Sequence, residues 1–383
     1  MEEAALKKVR FSELLGQERA REALVRSALS GRLPHAYLFC GLEGTGRRTA
    51  ARMLAALLGC QNPQGGSACG ECLSCRKLAR GTHPDLVMVE PAAEAARKGE
   101  KREAGAEEKK GKGGASGRKG LQLTIDQVRE LTRRLSFPPV EARVRVSVLW
   151  PAGRLNEEAA NALLKTLEEP PPGNLLILCC REPGEVLPTI ASRCRHLGFA
   201  PLPGEVVRGR LLARGADEER AARVAYLAGG SLLRAERLRE DGFWERRRRL
   251  LEVSCTPVSV SARLELAAEL WPSTRSEEQA KAHLDQINDL LEALKSYFRD
   301  ALVLAATAGD PRLGATIINT DLINTDFLEP LISLSQEPPD ALARRFGLVE
   351  RAQAEIGANC DPQLALEVLF FELAAPGQGA RYV

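Results

Sequence analysis

The sequence predicts a helix-rich α/β protein: a parallel sheet covered by helices, followed by helical domains. Three observations carry that. Apolar runs of strand length alternate with helical or loop segments through the first 200 residues. After Pro201 and Pro203 the strand-like runs stop. The composition is 44% apolar but only 4% aromatic, with abundant Ala, Leu, Glu and Arg, which favours helix over a β-sandwich.

The elements follow in order. Between Phe11 and Ser30 the positions of Leu14, Leu15, Leu24, Val25, Ala28 and Leu29 fit helical turns, until Gly31 and Pro34 break the pattern. Residues 36–40 read as a buried strand, and 86–89, 144–149, 175–180 and 196–199 as four more. Residues 205–238 read as two or three short helices around Gly229 and Gly230, a small lid. Leu284, Ile287, Leu290, Leu291, Leu294, Tyr297, Phe298 and Leu302 mark one long amphipathic helix. A last helix opens with Asp361 as N-cap and Pro362 at its first position, and buries Leu366, Leu369, Phe370 and Leu373. The expected domains are an α/β domain over 1–200, the lid over 201–245 and a helical domain over 246–383.

With 383 residues the chain exceeds what one core usually serves, so two or three domains are expected. The net charge is +3, from 54 basic and 51 acidic residues, so no global field announces nucleic acid. Residues 91–120 are almost wholly Ala, Gly, Glu, Lys and Arg, with nine basic and five acidic side chains; disorder is expected there, as a solvated insertion rather than a binding tether. Met1 leads directly into Glu2 and Glu3, and nowhere do 18 apolar residues run together, so a cytoplasmic protein is expected. In that reducing setting ten cysteines point to metal or buried thiols rather than disulfides.

The glycine-rich run Gly41-Leu-Glu-Gly44-Thr-Gly46-Arg47-Arg48 lies between a strand and a helix, the setting of a Walker A phosphate loop, where backbone N–H groups close on phosphate. The motif calls for Lys at position 47 and Ser or Thr at 48, the latter to hold magnesium. Here both are arginine. Arg47 can still fork onto a phosphate, but Arg48 has no oxygen to offer a hard cation. Thr49 is one residue late, about 100° further round the helix. The second half of such a site is a strand ending in Asp-Glu, yet 144–149 runs into Trp150-Pro151, with no carboxylate from Val144 to Leu155. Hydrolysis by this chain is not expected.

Cys60, Cys69, Cys72 and Cys75 have C-x8-C-x2-C-x2-C spacing with Gly70 in the knuckle, and four thiolates within sixteen residues can surround one tetrahedral zinc. Buried free thiols or a redox pair are the alternatives, but the stretch from Gln61 to Ser67 is too polar for a core. With four ligands the site is closed, hence structural.

The run Asn156-Glu-Glu-Ala-Ala-Asn161-Ala-Leu-Leu-Lys165-Thr-Leu-Glu-Glu169-Pro-Pro resembles the signature helix of bacterial clamp-loader subunits, a family of AAA+ proteins, as does Gly31-Arg-Leu-Pro-His35-Ala-Tyr-Leu-Phe39. With Phe11 to Gln17, the cysteine cluster and Ser192-Arg193-Cys194, the likeness spans residues 10 to about 240. The departures at Arg47, Arg48, Trp150, Pro151 and Cys180, where motor subunits place a polar sensor residue, make the resemblance one to the delta-prime branch, whose site is degenerate. The resemblance implies an AAA+ fold with a zinc module and a helical collar. It implies that Arg193 acts as an arginine finger in the ATP site of an adjacent subunit, and that tau/gamma-type motors, a delta subunit, the sliding clamp and primed DNA are partners. Gly41, Gly44, Gly46 and Arg47 become remnants of a cofactor loop with no productive ATP. Arg234 matches a second sensor arginine. Two competing readings remain: an active ATPase in which Arg47 binds phosphate and Glu157 or Glu158 serves the metal, and a stand-alone zinc protein that binds nucleic acid. The near-neutral charge opposes the last.

Overall fold

The computed structural model describes residues 10–91, 122–255, 258–272, 277–307, 324–358 and 360–374. Apart from Pro91, the insertion expected over 91–120 lies outside them. The chain divides into two compact units, 1–206 and 207–383.

In the first unit five strands, β1 (Ala36–Gly41), β2 (Leu86–Val89), β3 (Arg145–Leu149), β4 (Asn174–Cys180) and β5 (Arg195–Phe199), form one sheet in the order β2-β3-β4-β1-β5. Every pairing is parallel. Helices α1 (Glu18–Leu29), α2 (Arg47–Gly59), α3 (Leu73–Ala79), α4 (Ile125–Leu135), α5 (Glu157–Glu168) and the single turn α6 (Pro188–Ala191) complete it. Alternation along the strands sends side chains to opposite faces. Tyr37 and Phe39 of β1 join Met53 and Leu54 of α2, Val146, Val148 and Ile177 in one core. Ala36 and Leu38 join Val128 and Leu131 of α4, Leu163 and Leu167 of α5, Leu176 and Leu178 in the other. The result is a three-layer stack with the sheet in the middle.

Local chemistry sets the helix starts. Asn156 caps α5 by accepting from the Ala159 N–H at 2.9 Å, and Thr124 opens α4 as a capping box with Gln127. The start of β3 is not apolar. Arg145 is buried and donates to the carbonyls of Phe137 and Pro138 at 2.8 and 2.9 Å, while Asp85 accepts the backbone N–H groups of Val140, Glu141 and Ala142 at 2.7–2.8 Å. The two side chains stand 3.5 Å apart, a buried ion pair that fixes the whole loop from α4 to β3.

From α7, which begins just before the boundary, the described residues of the second unit form helices joined by turns: α7 (Gly204–Leu212), α8 (Glu218–Leu227), α9 (Leu232–Leu238), α10 (Asp241–Cys255), α11 (Val260–Leu270), α12 (Glu277–Ala306), α13 (Leu328–Leu334), α14 (Pro339–Gly357) and α15 (Pro362–Ala374). Helix α12 buries Ile287, Leu290, Leu291, Leu294, Tyr297 and Phe298 and packs on α14. Helix α15 begins as its sequence implies, with the Leu364 N–H donating to the Asp361 carboxylate at 3.0 Å, and buries Leu366, Leu369, Phe370 and Leu373. In the same unit Arg247 of α10, 2% exposed, forks onto Asp326 and reaches Asn324 at 2.6 Å.

Candidate functional site

The glycine loop leaves interior strand β1 and enters α2, as its sequence requires. Gly41 pairs with Phe199 of β5, and a Cβ there would lie 2.2 Å from the Phe199 carbonyl oxygen, so only glycine fits. Gly44 and Gly46 have φ of 82° and 101°, and Thr45 closes the turn by donating to the Leu42 carbonyl at 2.7 Å. The scaffold of a phosphate loop is present.

The two arginines turn that scaffold to another use. Arg47 is 3% exposed; its guanidinium donates to the Cys180 carbonyl at the end of β4 and lies over the indole of Trp150, 4.7 Å from the ring centroid. Burial lowers its pKa from the usual arginine value. Arg48 pairs with Glu90 at 2.7 Å and lies 5.4 Å from the same ring centroid. Trp150, which follows β3, is anchored by its N–H to the Val89 carbonyl at 3.0 Å. Glu90 is held in turn, since Gln127 of the α4 capping box donates to its carbonyl at 2.6 Å. Two guanidiniums, one indole and one buried carboxylate therefore occupy the strand ends beside the loop. A divalent cation there would face fixed positive charge at position 48 and no oxygen ligand at Trp150.

Glu157 and Glu158 sit exposed on the first turn of α5. Among the described residues, the one grouping of three or more His, Cys, Asp or Glu ligand atoms fit for a metal is the four-cysteine cluster. Cys60 follows the last residue of α2, Cys72 caps α3, Cys75 lies within α3, and Cys69 precedes the knuckle at Gly70. Their sulfurs all lie within 4.8 Å of one another. A tetrahedron with metal–sulfur bonds of about 2.3 Å has edges of about 3.8 Å. The Cys69 and Cys75 sulfurs are 3.9 Å apart, so the cage has the right size for a metal ion. The knuckle aims backbone at sulfur. The Cys72 and Glu71 N–H groups reach Cys69 Sγ at 3.4 and 3.5 Å and hold its pKa down to about 6, and the Cys69 N–H reaches Cys60 Sγ at 3.3 Å. Gly70 has φ of 82°, and Arg10 packs against it while donating to the Cys69 carbonyl at 2.6 Å.

Arg193 lies just beyond α6. It donates to the Thr189 carbonyl at 3.0 Å and to Glu168 of α5 at 2.7 Å, with its side chain 36% exposed. Ser192 bonds the same Thr189 carbonyl at 3.2 Å, and burial pushes the neighbouring Cys194 thiol up to about 12. In the second unit Arg234 is ion-paired with buried Asp289 at 2.7 Å. Sequence reasoning missed Glu90, although a carboxylate one residue past a strand end was a usable signal. It also missed that Cys40 and Cys180 are paired across β1 and β4.

A parallel sheet in the order β2-β3-β4-β1-β5, with a glycine loop leaving interior strand β1, defines a P-loop protein of the AAA+ class, here with a four-cysteine module at the junction of α2 and α3. The family model described as DNA polymerase III, delta subunit, matches residues 16–203. DNA polymerase III subunit delta' of Pseudomonas aeruginosa is 38% identical over 231 residues, 59% of this chain and 62% of that protein. The Escherichia coli subunit delta' is 34% identical over 285 residues, 74% of this chain and 76% of that protein. A DNA polymerase III subunit gamma/tau of Mycobacterium tuberculosis is 35% identical over 209 residues, 55% of this chain and 32% of that protein. The chain belongs to the DNA polymerase III subunit delta' family, and its match spans slightly less than two thirds of the Pseudomonas relative.

Proposed function

We propose that this chain is the non-hydrolysing member of a DNA polymerase III clamp loader, a scaffold that contributes to ATP-driven loading of a sliding clamp onto primed DNA. The observation that carries the reading is the Arg48–Glu90 pair beside Trp150, which puts a cation and an indole where a magnesium ion would need oxygen. The loop of Gly41, Gly44, Gly46 and Arg47 then serves as a rigid turn and binds no ATP productively. Arg193, on the surface and tethered among the described residues by Glu168 and a carbonyl, is the arginine finger offered to a neighbouring motor subunit, where it stabilises charge on the transferring phosphate. Zinc in the four-cysteine cage is structural, fastening the end of α2 to α3. Residues 1–200 form the AAA+ domain, 201–245 the lid and 246–383 the collar that joins tau/gamma-type motors and a delta subunit in a cytoplasmic hetero-oligomer. Arg234, tied to Asp289, serves the packing of the helical unit.

The test is reconstitution with motor and delta subunits. The isolated chain is expected to release no phosphate from ATP, and Arg193→Ala to lower the ATPase rate of the assembled complex. Hydrolysis by the isolated chain, or an unchanged rate in the Arg193→Ala complex, overturns the assignment.

A further inference from the structure

We propose that Cys40 and Cys180 form a peroxide-reactive thiol pair, a modification site at the root of the glycine loop, in which Cys40 is the attacking sulfur and Cys180 the resolving one.

The geometry is that of two residues already in position to bond. Cys40 and Cys180 are directly opposite in the parallel ladder of β1 and β4, and their sulfurs lie 3.5 Å apart. Neighbouring strands are about 4.8 Å apart, within the 4.4–6.8 Å between Cα atoms that a disulfide accepts, so the bond requires rotation of side chains and not movement of the sheet. The two sulfurs differ in environment. Cys180 is 1% exposed, whereas Cys40 is half-buried at the open end of β1, one residue before the loop. The two sulfurs share a hydrogen bond, and with Cys180 as its donor the Cys40 pKa is lowered to about 7. Burial opposes that shift, His196 and Arg47 reinforce it, and Glu185 weakly opposes it. The Cys180 thiol is pushed up, and burial carries Cys179, Cys194 and Cys255 to about 12. Cys40 is thus the sulfur that ionises first and that peroxide reaches, and Cys180 gives up its proton as its own sulfur attacks in the second step.

With hydrogen peroxide as oxidant the steps balance. The Cys40 thiolate attacks one peroxide oxygen, forming an S–O bond and releasing hydroxide. The Cys180 sulfur then displaces water from the Cys40 sulfenic acid, with the Cys180 proton leaving on that water. Two thiols are oxidised by two electrons and one peroxide is reduced to two waters. The new bond would tie β1 to β4 beside the Cys180 carbonyl that receives Arg47.

The full-length, metal-loaded protein tests this by peptide mass mapping. Before oxidation Cys40, half-buried, should alkylate with iodoacetamide ahead of Cys180, which is 1% exposed. Stoichiometric peroxide should then yield a Cys40–Cys180 linked peptide two hydrogens lighter, reversed by dithiothreitol. In Cys180→Ser the link is lost and dimedone captures Cys40 as its sulfenic acid. The linked peptide from the unmodified sequence is decisive. Peroxide treatment that leaves both cysteines alkylatable, or that oxidises only the 60–75 cluster, overturns the proposal whatever the variant does.

Discussion

The Arg48 guanidinium stands 2.7 Å from the Glu90 carboxylate and lies over the Trp150 indole. The Glu90 side chain is 5% exposed and that of Arg48 26%. Removing the carboxylate should therefore leave a partly buried cation without its main counter-ion. Glu90→Gln is expected to lower unfolding free energy by about 1–3 kcal/mol, less than for a fully buried pair because Arg48 keeps some water. Adding Arg48→Met to Glu90→Gln should recover part of the loss, and a double-mutant cycle by chemical denaturation measures the coupling. Purely additive effects would show that the pair does not organise the strand ends.

Asp85 gives the fold an acid limit. Burial alone would raise its carboxyl, but three backbone N–H donors and Arg145 outweigh that and hold it below the ordinary value of 3.8. A folded pKa below the unfolded one means that the unfolded chain binds the proton more readily, so this stabilisation is complete well above pH 3.8 and is lost as pH falls through that value toward the folded pKa. Asp85→Asn removes the charge at every pH. The stability difference between the native sequence and Asp85→Asn should be near its maximum at neutral pH and shrink below about pH 4. Comparing the two proteins cancels whatever acid does to the cysteine cluster. A difference that stays constant into acid would exclude a charged Asp85 as the clamp on this loop.

How far these features were legible in the sequence depends on their range. The strand at Leu86–Val89 and the caps at Asn156 and Asp361 depend on neighbours a few residues away, and patterns of that length are visible in the chain. The glycine loop and the four cysteines are equally local, with all their chemistry inside runs of eight and sixteen residues. Glu90 lies 42 residues from Arg48, and Cys180 lies 140 from Cys40; their meeting is decided by strand order, which no single-segment pattern encodes. Arg145 was harder still. Periodicity put the start of its strand at Val144, whereas the strand begins on a buried arginine whose cost is met by Asp85, two loop carbonyls and one from the last turn of α4.

The metal cage makes a prediction about composition and stability together. Purified protein should carry about one zinc per chain, and Cys72→Ser should lose it, because three thiolates leave an open fourth position. Losing the metal should loosen the end of α2 where Cys60 meets Cys69 and Cys75. In a unit of this size each kcal/mol lost shifts the thermal midpoint by about 2–4 °C, and a drop of several degrees in differential scanning calorimetry is expected. Zinc content unchanged in Cys72→Ser would remove Cys72 from the ligand set.

Arg193 separates a structural from a functional role most cleanly, because its charged partner among the described residues is exposed. The pair with Glu168 has side chains 36% and 51% exposed, a setting in which an ion pair contributes about 0–1 kcal/mol. Arg193→Ala and Glu168→Gln should therefore both unfold within about 1 kcal/mol of the native sequence. Their effects on the assembled complex should diverge. An arginine finger accounts for about 10³–10⁵ in rate at the site it serves, so Arg193→Ala should silence one ATP site and lower the complex's turnover by that site's share. Glu168→Gln frees the guanidinium without removing it, and turnover should stay within about twofold. Equal losses in the two variants would mean that the Arg193–Glu168 contact matters as structure. A loss confined to Arg193→Ala, with matched stabilities, places the chemistry on the guanidinium itself.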